Sequence, residues 1–415
     1  MEYYPRKIEK ELDRWLERKE IILIKGPRQS GKTTFLLHLK EKFGGNYITL
    51  EDQEVLESFE KDPKTFLKRY LTDNRTFLFI DEAQYCKQAG KTLKLFYDLF
   101  SDKTKIIVTG SGSFDIKVEI GKYLVGRAIY FELLQLDFEE FLLWKAKDLY
   151  RVFIDYKNSI KDFLTCNKKI DIEPVFQQEF YSLLEEYLLF GGFPAVVKED
   201  DEYIKKELLK NLVRTYLEKD IFFFLNIRHL ENFRKLLNYL GFKNGSLFEF
   251  SSIMRELGMD YKTLEYYVSV LVNTYFISLI PPFYKNLATE LKKTKKIYFN
   301  DLGLRNSIIN NFLSIENRLD KGVLFENFIF NELKRNFAEK INYWRTSGKA
   351  EVDFVLHFKD SIVPVEVKSY TGLSRSFVSF VKNYNPKKAL VFTEKEFGLK
   401  EIGKTKIAFI PHFFI

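Results

Sequence analysis

The chain is poor in cysteine and histidine. Cys86 and Cys166 lie far apart among 415 residues with no C-x-x-C, and His38, His229, His357 and His412 show no ligand spacing. This argues against a disulfide framework or a structural zinc site and points to a reducing, cytoplasmic setting. The opening residues Met1-Glu2-Tyr3-Tyr4-Pro5-Arg6-Lys7 contain no hydrophobic signal region. Long apolar runs are also scarce. Tyr266 to Tyr284 carries no charge, but Ser269, Asn273, Thr274, Ser278 and Pro281-Pro282 interrupt it, so it reads as helix turning into strand and no membrane span is expected. What is plentiful is aromatic residues, 17% of the chain, and basic charge, with 66 Lys and Arg against 58 Asp and Glu. The excess permits contact with nucleic acid or an acidic membrane surface, although a solvated basic face is the default. The length exceeds one ordinary core, and two or three domains are expected.

The clearest chemistry is near the start. Ile21-Ile22-Leu23-Ile24 feeds Gly26-Pro27-Arg28-Gln29-Ser30-Gly31-Lys32-Thr33, which fits G-x-x-x-x-G-K-[ST], and a helical stretch begins at Thr34. The two glycines let successive backbone N–H groups, through Thr34, converge on phosphate oxygens at a positive helix terminus. Lys32 supplies charge to the β and γ phosphates, and the Thr33 hydroxyl is placed for Mg²⁺. ATP and Mg²⁺ are therefore the expected cofactors. Phe77-Leu78-Phe79-Ile80-Asp81-Glu82 reads as a buried parallel strand delivering two acids to a sheet edge. Asp81 would hold the Mg²⁺ shell through water, and Glu82 would polarise the attacking water. A loop that only binds nucleotide has no need of the second acid, so Glu82 points to hydrolysis. A third strand, Ile106-Ile107-Val108, ends in Thr109-Gly110-Ser111, whose hydroxyls can contact the γ-phosphate. Arg127, before the strand Ala128 to Phe131, either stabilises phosphoryl charge in its own or a neighbouring subunit, or simply caps a helix.

The set GPRQSGKTT, FIDEAQ, IVTGSGS and LVGR resembles the ATPase domain of archaeal and bacterial AAA+ type ATPases related to the STAND group. That resemblance implies a doubly wound parallel sheet, with Thr109 and Ser111 at sensor positions and Arg127 at an arginine-finger position; Gly112 departs from the serine often found there. Residues 1 to 20 read as an amphipathic helix. The polar interval Lys145 to Pro174 reads as an insertion or flexible connection. Gly191-Gly192-Phe193-Pro194 reads as a kink; it resembles the GxP motif of the same ATPases, implying a helical lid with Gly192 and Pro194 on the base side of the nucleotide.

Residues 247 to 305 read as a winged helix. Phe250 to Leu257 and Tyr261 to Val272 are its helices, with Leu264, Tyr267, Val268 and Leu271 inward, and Phe276 to Ile280 pairs with Lys296 to Phe299. Tyr261 and Lys262, with loop residues Lys285, Lys292, Lys293 and Lys295, suit a DNA reader; a packing or oligomerisation module is the alternative. Lys296 to Arg305 resembles the family's K-I-Y-F-x-D-x-G-L-R signature. Beyond it, a helix from Gly322, a strand from Glu351 to Leu356 and a strand from Val363 to Lys368 bring Asp353 beside Glu366 and Lys368. Two carboxylates on adjacent strands can bind Mg²⁺, and a neighbouring lysine can orient a water for phosphodiester attack. This resembles the PD-(D/E)XK nuclease core, with Asp353, Glu366 and Lys368 on its signature positions and Glu326 on an added helix acid.

The expected architecture is α/β throughout: a P-loop ATPase domain over 1–140, a helical lid over 141–240, a winged helix over 241–312, and a restriction-endonuclease-like domain over 313–415. The expected function is ATP hydrolysis coupled to a domain that binds or cleaves DNA. The alternative is a nucleotide-gated scaffold whose nuclease-like domain is inactive and docks a protein partner or a second copy of the chain.

Overall fold

The computed structural model describes residues 3–110, 121–166, 168–170, 172–218, 230–284, 294–337, 340–358, 361–368, 372–394 and 396–415. Ser111, Lys285, Lys292 and Lys293 therefore lie outside the described residues. The chain divides into two compact units, one formed by residues 1–136, 193–195 and 269–275, the other by the remainder.

The first unit is built on five parallel strands, β1 (Ile21–Lys25), β2 (Asn46–Thr49), β3 (Thr76–Asp81), β4 (Thr104–Gly110) and β5 (Ala128–Glu132), in the order β2-β3-β4-β1-β5. Its strands are nearly continuous apolar runs because both faces are covered. Ile22, Ile24, Phe79 and Ile107 point to one face and meet Leu12, Leu16, Phe35, Leu36 and Leu39. Ile21, Leu23, Leu78, Ile80, Ile106 and Val108 point to the other and meet Phe59, Phe66, Leu93 and Phe96. Alternation along each strand thus feeds two cores. The first helix is Ile8–Leu16, shorter than the span expected from residues 1 to 20. Buried Lys105 ends the segment after it by donating to the carbonyls of Trp15 (2.6 Å), Arg18 (3.0 Å) and Glu20 (2.5 Å).

In the second unit, the interval expected to be an insertion or flexible connection instead contains the helix Lys147–Cys166. Phe153, Tyr156, Ile160, Phe163 and Leu164 are buried along it, at the three- and four-residue spacing of one helical face. The many surrounding Lys and Asp residues mask that stripe in the sequence. Strands β6 (Leu247–Phe248), β7 (Ile277–Ile280) and β8 (Lys295–Phe299) form a three-stranded sheet, with helices Phe250–Leu257 and Tyr261–Asn273 between β6 and β7. Leu264, Tyr267, Val268 and Leu271 are buried, and β7 pairs antiparallel with β8.

The C-terminal part follows the order helix Lys321–Asn336, β9 (Ile341–Arg345), β10 (Glu351–Phe358), β11 (Ser361–Val367), helix Arg375–Tyr384, then β12 (Lys388–Thr393), β13 (Gly398–Ile402) and β14 (Thr405–Pro411). The six strands lie in the order β13-β14-β12-β11-β10-β9, with parallel pairing on both sides of β12. Among the described residues no helix is long and apolar enough to cross a membrane.

Candidate functional sites

At the carboxyl edge of the first sheet, the loop Gly26 to Lys32 turns through left-handed backbone at Gln29 (φ 57°) and Gly31 (φ 95°). Gly26 has a stricter requirement, because a Cβ there would run into the Leu133 carbonyl. The Ser30 hydroxyl donates to Pro27 O at 2.9 Å, and Lys32 Nζ reaches back over the loop to Gly26 O (3.1 Å) and Pro27 O (2.6 Å). Arg6 braces the loop from outside through Ser30 O (2.9 Å) and Leu134 O (2.7 Å). Pro194 also belongs here: its Cγ lies 3.8 Å from the position a Gly31 Cβ would take.

Because β4 is inserted between β1 and β3, the end of β4 separates the loop from the acid strand. Thr109 is thereby brought onto Asp81. The Asp81 carboxylate, 1% exposed, accepts on one oxygen from Thr33 Oγ1 (2.6 Å) and Tyr47 OH (2.9 Å). Its other oxygen accepts from the Thr109 hydroxyl and from the Glu82 backbone N–H (3.1 Å). Burial, then the negative charge of Asp81, raises the Tyr47 phenol above its ordinary range and keeps it a neutral donor. Glu82 sits at φ 56° at the end of the acid strand, and its carboxylate accepts from Gln84. Thr33 and Asp81, an alcohol and a carboxylate within reach of one another, are a donor set that suits Mg²⁺ beside a nucleotide. The cradle at Gly26 and the lysine folded over it suit the phosphates.

Arg127 is placed elsewhere. Its carbonyl accepts from Ile21 N (2.9 Å) at the amino end of β1, and its Nε donates to Asp98 (2.9 Å). The length of β1, roughly 16 Å at 3.3 Å per residue, separates that edge from the loop. Arg127 therefore does not serve the phosphate site of its own chain. Tyr47 and Arg6 went unnoticed in the sequence. Tyr47 lies on β2, which becomes a neighbour of Asp81 only through the pairing of Thr49 with Asp81.

In the second unit, the N–H of Gly192 donates to Asp301 at 2.9 Å, and Asp301 also caps the helix Leu302–Ile308 through Leu304 N (2.9 Å). Gly191 (φ 74°) has no room for a Cβ beside the Asp301 carboxylate, nor has Gly303 beside the Phe190 carbonyl. The signature run thus has a structural role: it clamps the glycine pair.

The C-terminal acids lie on paired strands. Asp353 on β10 accepts from Val367 N (2.8 Å), and Glu366 on β11 accepts from Ser374 Oγ (2.9 Å) with Lys368 Nζ at 3.5 Å. Glu366 Oε2 is buried and has no hydrogen-bond partner among the described residues. Burial, then the charges of Glu326 and Glu366, push the Asp353 carboxyl well above the usual carboxylate range. Burial also raises Glu366.

Glu326 departs from expectation. It accepts from Lys296 Nζ (3.1 Å) and from the Tyr298 hydroxyl, and Lys296 also pairs with Glu351. No group of three or more Asp, Glu, His or Cys side chains among the described residues is arranged to hold a metal ion. Of the expected metal set of Glu326, Asp353 and Glu366, the helix acid has one oxygen held by a lysine and a tyrosine. Alternation along β8 puts Lys296 and Tyr298 on one face, and that was the readable signal for this pairing.

Comparison with known proteins covers the chain in three stretches. Residues 18–142 match an AAA domain, 181–314 a domain of unknown function (DUF8612), and 321–413 another (DUF4143). An uncharacterized protein of Methanocaldococcus jannaschii is 29% identical over 350 residues, covering 81% of this chain and 72% of that protein. One of Haemophilus influenzae is 24% identical over 411 residues, covering 94% and 93%. A Walker-type ATPase of Pyrococcus abyssi superposes with a TM-score of 0.46 at 16% identity, covering 74% of this chain and 96% of that one. The AAA match, the phosphate loop and the five parallel strands make the N-terminal part of this chain a P-loop, AAA-type ATPase domain.

Proposed function

We propose that the chain hydrolyses ATP and uses the cycle as a switch for a nuclease-like C-terminal domain that engages DNA. The observation that carries the first half is Asp81 held between the Thr33 and Thr109 hydroxyls with Glu82 next in the chain. Lys32 exchanges its loop carbonyls for phosphate oxygens, and Gly26 to Thr34 cradle the phosphates. Thr33 and Asp81 are the residues that would hold Mg²⁺, which neutralises charge on the β and γ phosphates when bound. Glu82 takes the proton of the attacking water, and Thr109 reports the state of the γ-phosphate to Asp81. Ser111 belongs to the same reading as a second sensor. Arg127 acts, if at the phosphate, on a neighbouring copy.

The second half is supported by the order helix, three-strand meander, helix, strand around Asp353, Glu366 and Lys368, and by exposed Tyr261 and Lys262 opening the helix Tyr261–Asn273. A net charge of +8 favours the same partner. ATP turnover with Mg²⁺, measured with and without duplex DNA, tests both halves. Turnover stimulated by DNA and lost in Lys32→Ala is expected. Turnover indifferent to DNA, with binding to a protein partner instead, would move the reading to a nucleotide-gated scaffold. Convergence of Asp353, Glu366 and Lys368 favours a second reading, phosphodiester cleavage, whose signature is nicking that disappears in Asp353→Ala.

A further inference from the structure

The C-terminal acids raise a problem of charge. Glu326, Glu351, Asp353 and Glu366 come from a helix and two strands into one neighbourhood, where Glu366 is buried and Asp353 is half-buried. Buried carboxylates require a compensating cation or a proton. In a metal-dependent phosphodiesterase the compensation is a divalent ion. Here the cation comes from another part of the chain. Lys296, on β8 of the three-stranded sheet, is 3% exposed; its ammonium bonds Glu326 at 3.1 Å and pairs with Glu351. It also faces the Asp353 carboxyl electrostatically. Arg345 holds the far side of Glu351 at 2.8 Å, and the Tyr298 hydroxyl donates to the same Glu326 oxygen that Lys296 bonds. Both donors fall on Glu326 Oε1, which is thereby turned to the lysine. Glu366 keeps one buried oxygen without a partner among the described residues.

We propose that the Lys296 ammonium stands in place of the divalent ion at this acid cluster, so that the C-terminal domain holds its acids together without a metal and serves in binding and not in cleavage. The inference rests on the nuclease-like reading of this domain. Three N–H donors on a compact charge can satisfy acids drawn from separate elements, as a metal would, and a fixed positive charge beside Asp353 repels a second cation. The lysine also ties β8 to the C-terminal sheet, a link that a soluble ion would make conditional on its concentration.

The test is Mn²⁺ binding to the full chain without nucleotide, followed by electron paramagnetic resonance. Wild type and Asp353→Asn should bind Mn²⁺ equally weakly. Lys296→Met should gain one Mn²⁺ site, weakened at least about tenfold by adding Asp353→Asn, whereas Lys296→Arg should gain none. A wild-type Mn²⁺ site lost in Asp353→Asn would overturn the proposal, as would a folded Lys296→Met that gains no site. If Lys296→Met does not fold without metal, recovery of its circular dichroism on adding Mn²⁺ supports the proposal; the wild-type comparison still decides it otherwise. ATP turnover of the same preparations separates the two ideas. Its absence would sink the proposed ATPase cycle while leaving the Mn²⁺ result intact.

Discussion

At the scale of single residues, the nucleotide site makes sharp demands. Gly26 is required because the Leu133 carbonyl occupies the space a side chain would need. Gly26→Ala should cost about 1–3 kcal/mol through overpacking and abolish nucleotide binding, as read by urea unfolding and a fluorescent ATP analogue. Glu82→Gln separates binding from chemistry. It should leave ATP affinity nearly unchanged and lower turnover about 10²–10⁴-fold, the usual contribution of a positioned general base. A turnover within twofold of wild type would remove Glu82 from the mechanism. Tyr47→Phe is the mild comparison: it removes one of four donors to Asp81 and should cost about 0.5–1.5 kcal/mol with a smaller loss of rate.

At the scale of elements, the helix Leu302–Ile308 and the loop after it form a junction. Asp301 caps the helix and holds Gly192, while Arg305 reaches Gly241 O (2.9 Å) and Asp320. Arg318 bonds the same carboxylate at 2.8 and 2.9 Å. Burial opposes ionisation of Asp320, but the hydrogen bonds from Arg318 and Arg305 outweigh it and depress the carboxyl below its ordinary range. A carboxyl depressed on folding adds stability in full above its unfolded value, near 3.9, and loses it as pH falls toward the folded value. Asp320→Asn should therefore destabilise by up to about 3 kcal/mol at pH 7, with a smaller difference from wild type at pH 3, measured by urea unfolding. Much at this scale was legible beforehand. The phosphate loop, the strand ending at Asp81 and the two helices after Glu249 follow from local periodicity and fixed spacing. Lys147–Cys166 was hidden, because a stripe of five buried residues in a charged helix reads locally as a polar connection.

At the scale of the molecule, two compact units allow unfolding in separate transitions. A nonhydrolysable ATP analogue with Mg²⁺, at a hundred times its dissociation constant, should stabilise the unit that contains the phosphate loop by about 2.7 kcal/mol. Calorimetry should show this in wild type and not in Lys32→Ala. If the nucleotide acts as a switch, the second transition should move as well; a second transition indifferent to nucleotide would leave an ATPase without a coupled domain. The sequence by itself determined which residues carry phosphate chemistry, because G-x-x-x-x-G-K-T and the Asp-Glu strand end are local patterns whose geometry follows from backbone conformation. Only the tertiary structure decided what surrounds them. Strand order placed Thr109 against Asp81 and set Arg127 at the opposite edge, and the pairing of distant segments brought Lys296 to Glu326. Spacing along a chain specifies which face a side chain occupies, but not which distant residue meets it there; packing of whole elements supplies that partner, and with it the charge state of the site.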